Sequence, residues 1–279
     1  MKNILYPTDF SPEAGNARAA ALTLAKLSGA TLHFLHVLEP VGGYGYSFTG
    51  NNDDGSILQV YQMKLIEQAN EELKKVALSS DLIEINSKYE VAVGEIYKTV
   101  LDYVTEKKID LVVMGSKGSS GLEEVLIGSN AERIVRMSPV PVLVFKKDSA
   151  NFDAKKIAFA TDLKSNGTLV TDTLKKVQKL FNAEILLVNV NTPNNFYRSR
   201  EIEGLLDGYA KKHGLSNYTS HSYSDTSEED GILHFAKENK ADLIIMGTHG
   251  RTGFSHLLSG SLAEDVVNHS DTPVLTAKI

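Results

Sequence analysis

The sequence predicts an α/β protein built as two tandem five-stranded parallel-sheet sandwiches, and three observations carry that prediction. A glycine motif, Gly115-x-x-Gly118 followed after nine residues by Gly128-Ser129, recurs as Gly247-x-x-Gly250 followed by Gly260-Ser261. The flanks repeat with it: residues 109–147 laid on 241–279 without a gap give 17 identities in 39 positions, among them Asp110/Asp242, Met114/Met246, Ala131/Ala263 and Pro141/Pro273. Short β-branched runs also alternate with longer amphipathic ones through both halves. A long motif repeated in register implies a duplicated domain, with units expected at 1–148 and 149–279.

In the first half a strand over 2–6 precedes a helix over about 11–28. Ser11 is suited to cap the exposed amides, Pro12 to the first helical position, and Glu13 to the positive helix end. Gly29 stops the helix. A strand over 31–38, a helix over 57–79 and a strand over 83–91 follow. The helix over 95–107 places Ile96, Val100, Tyr103 and Val104 on one face. A strand over 111–114 runs directly into the glycine motif, and a helix over 130–137 leads to a last strand over 140–145. The second half repeats the order, with strands near 156–160, 184–190, 216–223, 243–246 and 274–277. Tyr6-Pro-Thr-Asp9 pairs with Phe159-Ala-Thr-Asp162 at an offset of 153, whereas the glycine motifs pair at 132. The first half therefore carries about 21 extra residues, much of them expected in a surface loop over 42–55, rich in Gly, Asn and Asp.

Composition narrows the function. The 279 residues suit two domains of ordinary size. The absence of cysteine excludes disulfides and thiolate metal sites, and agrees with a reducing cytoplasm. Pro7 and Asp9 come too soon after the first apolar residues for a signal peptide, and no run approaches the ~18 apolar residues of a membrane span. Net charge is −6, and the lysine pairs are scattered among acids as on solvated helix faces, so neither nucleic acid nor a membrane is an expected partner.

Ligands of open α/β sheets sit beyond the carboxyl ends of the strands, near the topological switch point. Both glycine motifs begin there. Gly115, Gly118 and Gly121, like Gly247, Gly250 and Gly253, let the backbone approach a ligand without interference from a Cβ. Gly128-Ser129 and Gly260-Ser261 open a helix whose unpaired amides and dipole favour an anion, and the serine hydroxyls add donors. A phosphate chain fits this better than a neutral metabolite. Neither copy is a G-x-x-x-x-G-K-[ST] loop or a G-x-G-x-x-G loop, which disfavours a P-loop NTPase and a simple dinucleotide site. The competing reading of each glycine loop is a plain turn, and of each serine or aspartate a plain cap.

With these motifs the chain resembles a tandem universal stress protein of the ATP-binding branch. The signature G-x2-G-x9-G-[ST] is matched twice, and Leu5-Tyr-Pro-Thr-Asp-Phe-Ser11, Ser138-Pro-Val-Pro-Val-Leu143 and Met246-Gly-Thr-His-Gly-Arg-Thr-Gly253 are similar to the family. The resemblance implies Rossmann-like sheets of the adenine nucleotide alpha hydrolase type, paired as a pseudo-dimer through the last strands. It also implies a stress-response role and a bound adenine nucleotide, ATP or AMP, with Mg as an accompanying ion. Carried across, Asp9 binds ribose or adenine, Val37 lines the adenine pocket, and Gly115, Gly118, Gly128, Ser129 and Asn130 hold ribose and phosphates. The second set is Asp162, Val190, Gly247, Gly250, Gly260, Ser261 and Leu262.

The halves differ. The first keeps Val93-Gly-Glu95 where the second has Asp225-Thr-Ser-Glu-Glu-Asp230, whose acids face phosphate unfavourably or merely complement a helix dipole. The second has His249 and Arg251 in its loop, and Arg251 suits a bidentate phosphate contact where Lys117 is looser. Glu123, Glu124, His249 and His256 are catalytic candidates by position alone, and no metal spacing such as HExxH occurs. The reading is therefore a nucleotide-binding regulatory module with a protein partner, and a homodimer of the tandem chain is open. The alternatives are a slow ATPase or autophosphorylating protein, and a scaffold that binds no nucleotide.

Overall fold

The computed structural model describes residues 1–41, 54–79, 82–116, 127–163, 167–248 and 262–279, with backbone alone at 54–56. Each half contributes five parallel strands. The first has β1 (Asn3–Pro7), β2 (Thr31–Leu38), β3 (Ser87–Val93), β4 (Leu111–Gly115) and β5 (Val142–Phe145). The second has β6 (Lys156–Ala160), β7 (Glu184–Asn191), β8 (Tyr218–Ser224), β9 (Leu243–Thr248) and β10 (Val274–Lys278). The two sets join into one ten-stranded sheet in the order β3-β2-β1-β4-β5-β10-β9-β6-β7-β8. The seam is antiparallel, with Val274 opposite Val144, Leu275 opposite Leu143 and Thr276 opposite Val142. Consequently the carboxyl ends of β1–β5 and the amino ends of β6–β10 share one rim.

Alternation along the strands sends residues to two apolar layers, one on each face. Ile4, Tyr6 and Phe34 face a layer built with α2 (Arg18–Ser28), α3 (Asp54–Ala77), α6 (Thr168–Phe181) and α7 (Ser199–His213). Leu5, Leu35 and Val112 face the opposite layer, built with α4 (Ile96–Glu106), α5 (Ser129–Met137), α8 (Glu228–Glu238) and α9 (Leu262–His269). Both layers run through both halves. On α4, Val100, Tyr103 and Val104 are buried as the periodicity predicts, whereas Ile96 is half-buried.

Several predicted elements differ in their bounds from the observed ones, and three of the differences are instructive. The helix over 11–28 is two helices, a short α1 (Pro12–Gly15) and α2, with Asn16 and Ala17 between them. The break follows from distant partners: Asn16 Nδ2 donates to Lys146 O at 2.8 Å, and Ser149 Oγ, beyond the end of β5, accepts the N–H of Ala20 and caps α2. The strand over 83–91 begins only at Ser87, after a turn that leaves Ile83 exposed. The last strand begins at Val142 because Pro141 has no N–H to donate, although its carbonyl accepts from Val112 N–H at 3.0 Å. At Gly29 the predicted stop is present as a left-handed cap with φ of 66°.

Candidate functional site

Within each half the strand order reverses between the first and fourth strands, β1 with β4 and β6 with β9. These are the switch points where an open α/β sheet leaves a crevice at the strand carboxyl ends. Asp9 follows β1 and Gly115 closes β4, while Asp162 follows β6 and Gly247 lies in β9, so the fold brings each predicted Asp–Gly pair to one crevice.

The same turn is built twice. Thr8 Oγ1 accepts the N–H of Phe10 at 3.1 Å, and Thr161 Oγ1 accepts the N–H of Leu163 at 3.1 Å. Phe10 and Leu163 have φ of 63° and 64°, a left-handed conformation unfavourable for such side chains. A residue on the neighbouring strand buttresses each turn: His36 Nδ1 donates to Thr8 O at 2.8 Å, and Asn189 Nδ2 donates to Thr161 O at 2.9 Å. The turn in turn aims the aspartate. Asp9 Oδ1 accepts from Ser11 N–H at 3.1 Å and from Ser11 Oγ–H at 2.6 Å, while Ser11 Oγ accepts the N–H of Ala14 at 3.1 Å. Both the capping role of Ser11 and a capping use of Asp9 are thus present, with Asp9 half-buried at the crevice edge. Tyr6 also secures α1, donating from its hydroxyl to Ala14 O at 2.9 Å. Burial pushes the Tyr6 pKa up, and likewise that of Tyr209 of α7, which lies against Thr161.

The crevices differ at the glycines. A Cβ on Gly115 would lie 2.3 Å from Glu13 O and 3.1 Å from Ala14 Cα, so the space it lacks is taken by the α1 backbone. At Gly247 a Cβ would instead meet the Ile279 side chain at 2.4 Å. They differ again at the predicted adenine-pocket residues. Val37 is half-buried, but Val190 is buried beneath α8, where a Cβ on Gly231 would come within 2.4 Å of Val190 Cγ1. Among the described residues the first crevice is the more open at this point. The acidic stretch predicted beside the second crevice forms the start of α8. Ser227 accepts the N–H of Asp230 at 3.0 Å as its cap, with Glu228, Glu229 and Asp230 in the first turn. Asp225 lies 2.8 Å from His234 Nδ1, a hydrogen bond that lowers the Asp225 pKa and raises that of His234.

Gly128 is the N-cap of α5 and supplies no side-chain hydrogen bond. Its N–H donates to Ser116 O at 2.8 Å, pinning the two ends of the glycine loop together. Ser129 is exposed and Asn130 half-buried at the first turn, where helix amides and dipole favour an anion. Leu262 opens α9 at the corresponding place, half-buried and apolar, with Glu264 and Asp265 in its first turn. The opening of α5 carries Glu132 and Arg133 instead, and Arg133 reaches Glu95 at 3.4 Å and lies over the Tyr97 ring. Local charge thus favours an anion at α5 over α9. Gly118, Gly250, Arg251, Gly260 and Ser261 lie outside the described residues, as do Lys117, Gly121, Glu123, Glu124, His249, Gly253, His256 and most of the loop over 42–55.

Sequence reasoning missed the buttresses His36 and Asn189, although they pair at the same offset of 153 as Asp9 and Asp162. It also missed Asn268, which reaches from the second half to accept the N–H of Ile127 at 2.9 Å; no local signal marks it. Among the described residues no group of three or more His, Cys, Asp or Glu could hold a metal, and no helix is long and apolar enough to cross a membrane.

The comparisons agree with this architecture. The model of the universal stress protein family matches residues 1–146 and again 154–278. The universal stress protein Slr1230 of Synechocystis is 25% identical over 290 residues, covering 99% of each chain. The universal stress protein MJ0531 of Methanocaldococcus jannaschii is 33% identical over 146 residues, 52% of this chain and 82% of its own. A crystal structure of a universal stress protein from Archaeoglobus fulgidus superposes with a TM-score of 0.78 at 22% identity, covering 99% of this chain and 98% of that one, which supports the fold. Two family matches in tandem, laid on two halves of one sheet, place the chain in the universal stress protein family.

Proposed function

We propose that the protein binds an adenine nucleotide, ATP or AMP, in its switch-point crevices and acts as a regulatory module whose nucleotide state a protein partner reads. The first crevice is the principal site. The observation that carries this reading is the start of α5. It is a helix without a side-chain cap, opened by Gly128-Ser129 and pinned to the exit of β4, with Asp9 just past the end of the neighbouring strand β1. Its amides suit phosphate oxygens, Asp9 suits a ribose hydroxyl, and Val37 suits the base. Mg enters this reading with the phosphates. The units are 1–148 and 149–279, and the setting is the cytoplasm. A regulatory nucleotide must bind two states of the protein with different affinity, since equal affinity shifts nothing.

The test is mass spectrometry of small molecules released from the freshly purified protein on denaturation. Calorimetric titration of the stripped protein with ATP and AMP follows, with and without magnesium. Bound adenine nucleotide or saturable binding is the expected result, with Gly118→Val weakening it more than it lowers thermal stability. No nucleotide and no binding heat at several temperatures would sink the reading. Magnesium-dependent turnover lost with the cradle would replace it by a slow ATPase.

A further inference from the structure

We propose that Asn268, contributed by the second half, is a positioning residue for the ligand cradle of the first. The antiparallel seam sets up the contact. Because β6–β10 begin on the rim where β1–β5 end, the last turn of α9 comes to lie beside the first turn of α5. There Asn268 Oδ1 accepts the N–H of Ile127 at 2.9 Å, and the Asn268 carbonyl accepts from Lys146 Nζ, just past the end of β5. Ile127 immediately precedes Gly128, whose own N–H is held by Ser116 O. Two successive amides at the mouth of α5 are therefore fixed from opposite sides, one by the exit of β4 and one by the other half of the molecule.

The duplication does not repeat the side-chain acceptor. At the offset of 132, Asn268 corresponds to Arg136 and Ile127 to Ser259. A guanidinium carries donors and no acceptor, so Arg136 cannot take an amide N–H as Asn268 does. It engages Glu132 at 3.4 Å and Glu264 at 3.7 Å instead. The Asn268 side-chain contact makes the geometry of the first cradle depend on the second half.

The inference rests on the nucleotide reading for its ligand arm only. In the full chain, Asn268→Leu removes the acceptor and Asn268→Asp keeps one. Amide exchange resolved at Ile127 is measured in both variants, together with calorimetric titration by ATP. Asn268→Leu is expected to speed exchange at Ile127 by roughly tenfold, the factor one hydrogen bond supports. Exchange along β5 and β10 should stay unchanged, and ATP affinity at one site should fall several-fold. Asn268→Asp should restore protection of Ile127. The proposal is overturned if Asn268→Leu leaves Ile127 exchange at the wild-type rate, if it speeds β5 and β10 equally, or if Ile127 is released with every ATP affinity unchanged. A wild-type protein that binds no ATP would sink the nucleotide reading instead, and the exchange arm alone would then uphold or overturn the placement of Ile127 by Asn268.

Discussion

Replacing the two equivalent glycines by alanine should have unequal costs, and the structure sets the difference. In Gly115→Ala the new Cβ falls 2.3 Å from Glu13 O, 2.9 Å from Glu13 C and 3.1 Å from Ala14 Cα, all backbone atoms. Relief requires α1 to retreat by about 1 Å, since ordinary contacts begin near 3.5 Å. That helix is held by the Ala14 N–H bond to Ser11 Oγ and by the Tyr6 hydroxyl bond to Ala14 O. Overpacking costs about 1–3 kcal/mol and a weakened hydrogen bond about 1 kcal/mol more, so a loss of about 2–4 kcal/mol is expected. In Gly247→Ala the obstacle is Ile279 Cδ1 and Cγ1 at 2.4 Å, the far end of a side chain whose residue is 41% exposed. Turning it aside costs about 0.5–1.5 kcal/mol, offset by about 0.4–1 kcal/mol from the stiffer unfolded chain. The second substitution should therefore be close to neutral. Urea unfolding of both variants, with unchanged m-values, reads the difference directly. Equal losses, or a loss below about 1 kcal/mol for Gly115→Ala, would refute the assignment of that glycine to α1 contact.

Two further outcomes are expected. Ser11→Ala should cost about 1 kcal/mol by removing the α1 cap, as measured by urea unfolding, and should also weaken adenine-nucleotide binding because Asp9 loses its Ser11 hydroxyl donor. His33, buried between Tyr103 and Asn3, has its pKa held below the ordinary 6.5 by burial and then by Lys88 and Lys107. The unfolded chain therefore takes up the proton first. The contribution of His33 to stability is complete above about pH 6.5 and is lost as pH falls through its folded value. Unfolding midpoints should fall as pH drops below about 6.5, and His33→Gln should flatten that slope; an unaltered slope would remove His33 as its source.

Where the chain's physics is local, the sequence was enough. The strands β2 and β6 have the bounds that β-branched alternation implies, and Ser11, Pro12 and Gly29 punctuate their helices as residue chemistry requires. The break at Asn16–Ala17 was illegible because Ser149 and Lys146, far along the chain, create it. The start of β3 was missed because pairing, not composition, sets it: Leu32 N–H donates to Asn86 O and Leu32 pairs with Ser87, which leaves Ile83 outside the ladder. At the site, Asp9, Asp162, Gly115 and Gly247 could be placed from strand ends alone. The Asn268 contact could not, since it exists only once two halves are folded against each other.

The seam between β5 and β10 also changes the order of the assembly reaction. Two separate halves joined through these strands would be held by a bimolecular equilibrium, their pairing set by concentration. Here both strands belong to one polypeptide, and the reciprocal reach of Lys146 to Asn268 O and of Lys278 to Met137 O fastens the join. Pairing becomes unimolecular and survives dilution. It also consumes two strand edges that would otherwise invite addition of further chains, leaving the sheet to end among the described residues in β3 and β8, whose exposed positions include Lys88, Glu90, Thr219 and Ser222.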